Sequence, residues 1–183
     1  MENEQPTARF VVVSFVVAGM FALARQFVGV FDPEYYNPST VIDYSAVILM
    51  SAAFAGTSIA LFLLRRRLST HRLDLVLYLP ATAAMFLAVG NLLEDGFGVE
   101  EAGEWGFIVG GIGVLSGLVL SGLIILATFG RDRWVGLALL LGIFFGIGDL
   151  IGVMGGAWLL MAWMLSRDRA SIPTRPHVTI SNT

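Results

Sequence analysis

Arg25 and Asp149 are charged residues set deep in apolar runs. Arg25 lies fifteen residues beyond Phe10, and Asp149 fifteen residues beyond Trp134. At 1.5 Å per residue, each stands about 22 Å along a helix begun at those positions. Asn91, Glu94 and Asp95 close another apolar run on the same side. One arginine, up to three carboxylates and one amide are therefore expected to converge near one membrane surface. Charges inside a membrane are costly and usually partnered, so this cluster is the first candidate site, as an ion path or as a staple between helices. Matching depth makes Asp149 the expected partner of Arg25, with Glu94 and Asp95 next. The alternative is that Arg25 snorkels to the interface.

Gly146-Ile147-Gly148-Asp149 has the form GxGD. It resembles the second catalytic motif of the intramembrane aspartyl proteases, the presenilin-like, signal-peptide-peptidase-like and prepilin-peptidase-like families. The resemblance covers these four residues. It implies a pair of aspartates sharing one proton to activate water, with Asp149 as one of them. The second would be Asp95 or Asp43. No YD pair occurs in an apolar run and no PAL motif follows. Glu94, Asp95, Glu100, Glu101 and Glu104 offer oxygen ligands to a hard cation, but without the spacing of a known calcium loop. A solvated acidic face is the expected reading.

Other chemistry is excluded by what the chain lacks. It has no cysteine, which removes disulfides, thiol catalysis and iron–sulfur ligation. All eleven basic residues are arginine, so a Schiff-base cofactor has no attachment point. The two histidines, His71 and His177, fall in a basic loop and in the polar tail, not where two of them would hold a haem inside a bundle. No cofactor, no metal and no nucleic acid is expected.

Gly106, Gly110, Gly113, Gly117 and Ser121 fall on one face of a helix, at spacings of four, three, four and four. Lipid tails give helices no hydrophobic reason to associate, so small residues matter because they let backbones approach. Gly142 with Gly146, and Gly152 with Gly156, repeat the theme. Tight helix packing, within the chain or between subunits, is expected there; the other use of such a face is a smooth groove for a lipid tail. Arg65, Arg66, Arg67 and Arg72 form the most basic stretch, suited to anionic lipid headgroups as well as to setting topology.

These residues need membrane-length elements to position them. The chain is 56% hydrophobic and 14% charged, against about 25% charged in a soluble domain, and its mean hydropathy is +0.79. A helix crosses a ~30 Å hydrocarbon core with about 20 apolar residues. Candidate spans are Phe10 to Phe31, Val41 to Leu64, Leu73 to Leu93 and Trp105 to Phe129, the third with Pro80 inside it. Loops are expected over Asp32 to Thr40 and Glu94 to Glu104. Met1 to Ala8 is polar and acidic, without the basic segment or cleavage site of a signal peptide, so the first span is expected to remain. Trp134 to Leu165 would be about 48 Å long as one helix. It would also place Arg167, Arg169 and Arg175 on the wrong side of the charge rule. Two short spans broken at Gly146, Gly148 and Asp149 restore them, since glycine ends helices and aspartate caps the next.

The expected fold is thus an all-α integral membrane protein of six, alternatively five, transmembrane helices. Residues 1–166 would form one bundle and 167–183 a polar cytoplasmic tail. The N-terminus, and in the six-span form the C-terminus, would be cytoplasmic in the cell membrane. The leading functional expectation is a non-enzymatic subunit or assembly partner of a larger membrane complex, contacting membrane lipids and either other subunits or copies of itself. A small oligomeric transporter or channel is the second, and the aspartyl-protease-like enzyme the third.

Overall fold

The computed structural model describes residues 4–31, 40–68, 71–128, 133–146 and 150–170. They are almost wholly helical: α1 (Glu4–Phe31), α2 (Val41–Leu68), α3 (His71–Asn91), α4 (Glu100–Thr128), α5 (Arg133–Leu141) and α6 (Ile151–Ala170). A π-helical turn, Leu92–Gly96, prolongs α3, and a 3-10 turn, Gly142–Gly146, prolongs α5. Stretches of α1 to α4 are long and apolar enough to cross a membrane: Arg9–Val30, Val41–Leu68, Val76–Gly96 and Gly103–Thr128. Arg133–Phe144 and Ile151–Arg167 are apolar but shorter. The chain is an all-α membrane bundle.

The helices form a ring in chain order, each packed on the next, with α6 closing against α1. Neighbours run antiparallel. Down the α1–α6 seam, Gln26, Gly19 and Phe15 meet Gly152, Gly155 and Trp158 in turn. The centre of the ring is filled. Trp158, fully buried, packs on Phe15 at 5.5 Å between ring centroids and donates its Nε1–H to Thr57 Oγ1 of α2 at 3.0 Å. The outward faces are apolar, as contact with lipid requires: Phe10, Met20, Phe27 and Val30 on α1 and Ile108, Val109 and Ile112 on α4 are all exposed.

Glycine sets the closeness of three seams. Between α3 and α4, a Cβ on Gly106 would lie 2.7 Å from the Cα of Gly90; one on Gly113 would lie 2.7 Å from Ala83 Cβ, and one on Gly117 2.6 Å from Pro80 Cδ. Gly110 lies against Leu87 and the Ala83 carbonyl. A Cβ on Gly19 would meet the Gly155 carbonyl at 2.8 Å, and one on Gly136 would meet the Gly122 carbonyl at 2.6 Å. Gly142 gives way to the ring of Trp158, whose Cη2 would be 2.7 Å from such a Cβ. Ser121 does more than stay small. Pro80 has no N–H, so the Val76 carbonyl one turn earlier loses its helical donor. Ser121 Oγ stands 3.1 Å from that carbonyl and 2.6 Å from the Gly117 carbonyl of its own helix, ready to donate to either.

Three boundaries differ from the sequence expectation. The stretch 94–104 is mostly helical rather than a loop. The π turn carries α3 through Gly96, only Gly98 and Val99 are irregular, and Gly98 turns the chain at φ +70°. Helix α4 then starts at Glu100, with Glu100 and Glu101 in its first turn, where acids complement the helix dipole. The stretch 134–165 is divided, as the six-span form requires, but the α-helix ends at Leu141, before the GxGD residues, where Gly142 yields to Trp158. Helix α6 runs on to Ala170, into the stretch expected to be polar tail; Ser171 to Thr183 lie outside the described residues.

Candidate functional site

The end of α1, the start of α2, the π turn after α3 and the start of α4 meet at one end of the bundle. Arg25 is only 5% exposed. Its side chain runs along its own helix to the next turn, where Gly29 leaves room: a Cβ there would lie 2.5 Å from the guanidinium Nη1. Asp95, half-buried in the π turn, lies within electrostatic range of Glu94 and of Arg25. Glu94 itself packs over Gly103 of α4, where a Cβ would meet its Oε2 at 2.8 Å. A π turn inserts an extra residue into the helical repeat and re-aims the side chains it carries. Here it carries both acids.

Asn91, 3% exposed, donates from Nδ2 to the Val47 carbonyl at 3.1 Å and to Ser51 Oγ at 2.9 Å, tying α3 to α2. Asp43 is buried at the start of α2. Its Oδ2 accepts from Thr40 N–H at 2.7 Å, while Asp43 N–H donates to Thr40 Oγ1 at 3.2 Å. This reciprocal cap satisfies two donors at the helix start. Gln26, next to Arg25, accepts from the Gly152 N–H at 2.9 Å, so α1 caps the first turn of α6 with a side-chain amide.

Of the expected cluster, Asp95 thus stands within electrostatic range of Arg25, Glu94 adjoins Asp95 and packs over Gly103, and Asn91 is tied to α2. Asp149 lies outside the described residues, and with it the expected Arg25–Asp149 pair and the last residue of the GxGD match. Gly146 ends the 3-10 turn. Asp43, the other aspartate weighed as a catalytic partner, is engaged in its cap.

Sequence reasoning missed Gln26, Thr40, Thr57 and Asp43 as structural ties. A lone amide in an apolar run is the same kind of signal as Arg25, and Thr40-x-x-Asp43 is a readable capping pattern. The Trp158–Thr57 bond carries no such signal. Of the four tryptophans, Trp105 and Trp163 are exposed and Trp158 is fully buried. Ser58 Oγ and Thr82 Oγ1 are buried without a hydrogen-bond partner among the described residues.

At the opposite end lie Arg9, Arg65, Arg66, Arg67, Arg133 and Arg167. Arg65 stands 5.7 Å from the centre of the Tyr78 ring, and Arg167 stands 3.9 Å from the centre of the Trp163 ring. The side chain of Arg72 lies outside the described residues. No group of three or more metal-binding side chains occurs among the described residues. Comparison with protein-family models, curated proteins and solved structures found no match to this chain.

Proposed function

We propose that the chain is a non-enzymatic, multi-pass subunit of a larger assembly in the cell membrane, with six crossings and both termini cytoplasmic. The assembly is with copies of itself or with other membrane-protein subunits. One observation carries this reading: apart from Asp43 in its local cap, the buried and half-buried polar side chains whose hydrogen bonds are named above are used to hold helices together. Asn91 binds α2, Ser121 serves α3, Gln26 caps α6 and Trp158 reaches α2. Interhelical hydrogen bonds of this kind give a membrane bundle a fixed shape, which a scaffold or assembly partner needs. The charge distribution supports the orientation, because arginine-rich ends stay cytoplasmic. The test is native mass spectrometry on the protein extracted in mild detergent from its own membrane at natural abundance. A discrete, stoichiometric mass above that of the 19.7 kDa chain is the expected result. A monomer without companions would overturn the proposal.

The burial of Arg25 and Asp43 in one end of the bundle favours a second reading, a small oligomeric transporter or channel using the Arg25, Glu94 and Asp95 cluster. Purified protein in liposomes separates the two. Ion flux that Arg25→Gln abolishes supports transport, and membranes as tight as protein-free ones exclude it.

A further inference from the structure

The arginine end of the bundle has an architecture that the topology rule does not require. Arg167 lays its guanidinium over the face of Trp163, at 3.9 Å from the ring centre. Trp163 is exposed, one turn before Arg167, where the apolar outer face of α6 formed by Val153, Leu160 and Trp163 gives way to Ser166 and Arg167. Arg65 stands over Tyr78, which meets Phe62 edge-on at 5.3 Å. Arg9, Arg66 and Arg133 are exposed at the same end, on α1, α2 and α5.

We infer that this rim binds the headgroups of anionic phospholipids, with the Arg167–Trp163 stack as its positioned element. Indole rings settle at the boundary between hydrocarbon and headgroups. A guanidinium held on an indole face is therefore presented at phosphate height. Its planar donor fork matches a phosphate diester, and the stack reduces the rotamer freedom lost on binding. The cations are spread over α1, α2, α5 and α6 rather than gathered in one pocket. That spread suits lipids arranged around a bundle better than a single compact ligand.

The experiment measures lipid retention by native mass spectrometry of the full chain. The protein is held in a neutral detergent with equal phosphatidylglycerol and phosphatidylcholine, acyl chains matched. Wild type is expected to retain phosphatidylglycerol in preference. Arg66→Gln and Arg167→Gln should each lower that preference about fivefold, and the corresponding lysine variants should largely keep it. Trp163→Leu should lower it about two- to fivefold at unchanged charge, because the stack is lost. Excess inorganic phosphate should leave retention unchanged. Equal retention of both lipids by wild type, an undiminished preference in the glutamine variants, or displacement of the lipid by phosphate would overturn the inference. If Trp163→Leu retains the full preference, the positioned stack is wrong.

Discussion

The Val76 carbonyl has lost its helical donor because residue 80 is a proline, and the hydroxyl of Ser121 is within reach of it. Ser121→Ala should therefore cost about 1 kcal/mol in a reversible unfolding titration. The same change in a Pro80→Ala background should cost measurably less, since the restored N–H satisfies the carbonyl. Equal costs in both backgrounds would show that the hydroxyl has no such role. Arg25 makes a second residue-scale case. It lies within electrostatic range of Asp95. Arg25→Gln and Asp95→Asn should together be less damaging than the sum of the two, by a coupling on the order of 0.5–3 kcal/mol. Strict additivity would reject the pairing. Arg25, Asn91, Glu94 and Asp95 could be singled out in the sequence by type alone, because polar groups in apolar runs need partners. The role of Gln26 could not be, because it depends on where α6 begins, and local sequence does not fix that.

Along the helices, the seams distinguish glycines that look alike in the sequence. Gly106 touches the backbone of Gly90, whereas nothing lies within 4 Å of where a Cβ on Gly111 would sit. Gly106→Ala should cost about 1–3 kcal/mol by forcing α3 and α4 apart. Gly111→Ala should be neutral or slightly stabilising, since alanine is the better helix former. Thermal melts of the two variants in one detergent provide the comparison; equal effects would mean that the close approach does not decide stability. The spacing from Gly106 to Ser121 made this face readable, but not its partner, since a helical stripe says that something packs and not what. The division of 134–165 was readable for a related reason: its length exceeds the membrane and its charges conflict with a single span. Where the helix ends was not, because that point is set by Gly142 yielding to a tryptophan sixteen residues further on.

For the molecule as a whole, hydropathy identified four membrane-length helices and the arginines suggested their direction, but neither told which helices are neighbours. The closed ring depends on side-chain fit along α1–α6 and α4–α5, a property of pairs rather than of spans. The proposed orientation can be read directly in this cysteine-free chain. With an impermeant thiol reagent applied to intact cells, Glu101→Cys is expected to react and Asn182→Cys to stay unlabelled until the membrane is opened. Labelling of both Glu101→Cys and Asn182→Cys from outside would require an odd number of crossings, and labelling of Asn182→Cys alone would invert the orientation.

The shortness of α5 has a consequence for the bilayer itself. Its nine α-helical residues and five 3-10 residues rise only about 24 Å together, less than the ~30 Å that the acyl chains of a typical bilayer occupy. If α5 crosses the membrane as proposed, the lipid on that side of the ring must thin, or the neighbouring helices must tilt, and either adjustment carries a cost that grows with each ångström of hydrophobic mismatch. The protein should therefore respond to acyl-chain length. Its melting temperature should be higher in bilayers of fourteen-carbon chains than in those of eighteen, and a flat response would mean that the α5 flank does not meet lipid. In a cell whose membranes differ in thickness, the α5 side of the ring would act as a gauge and draw the protein toward the thinner ones.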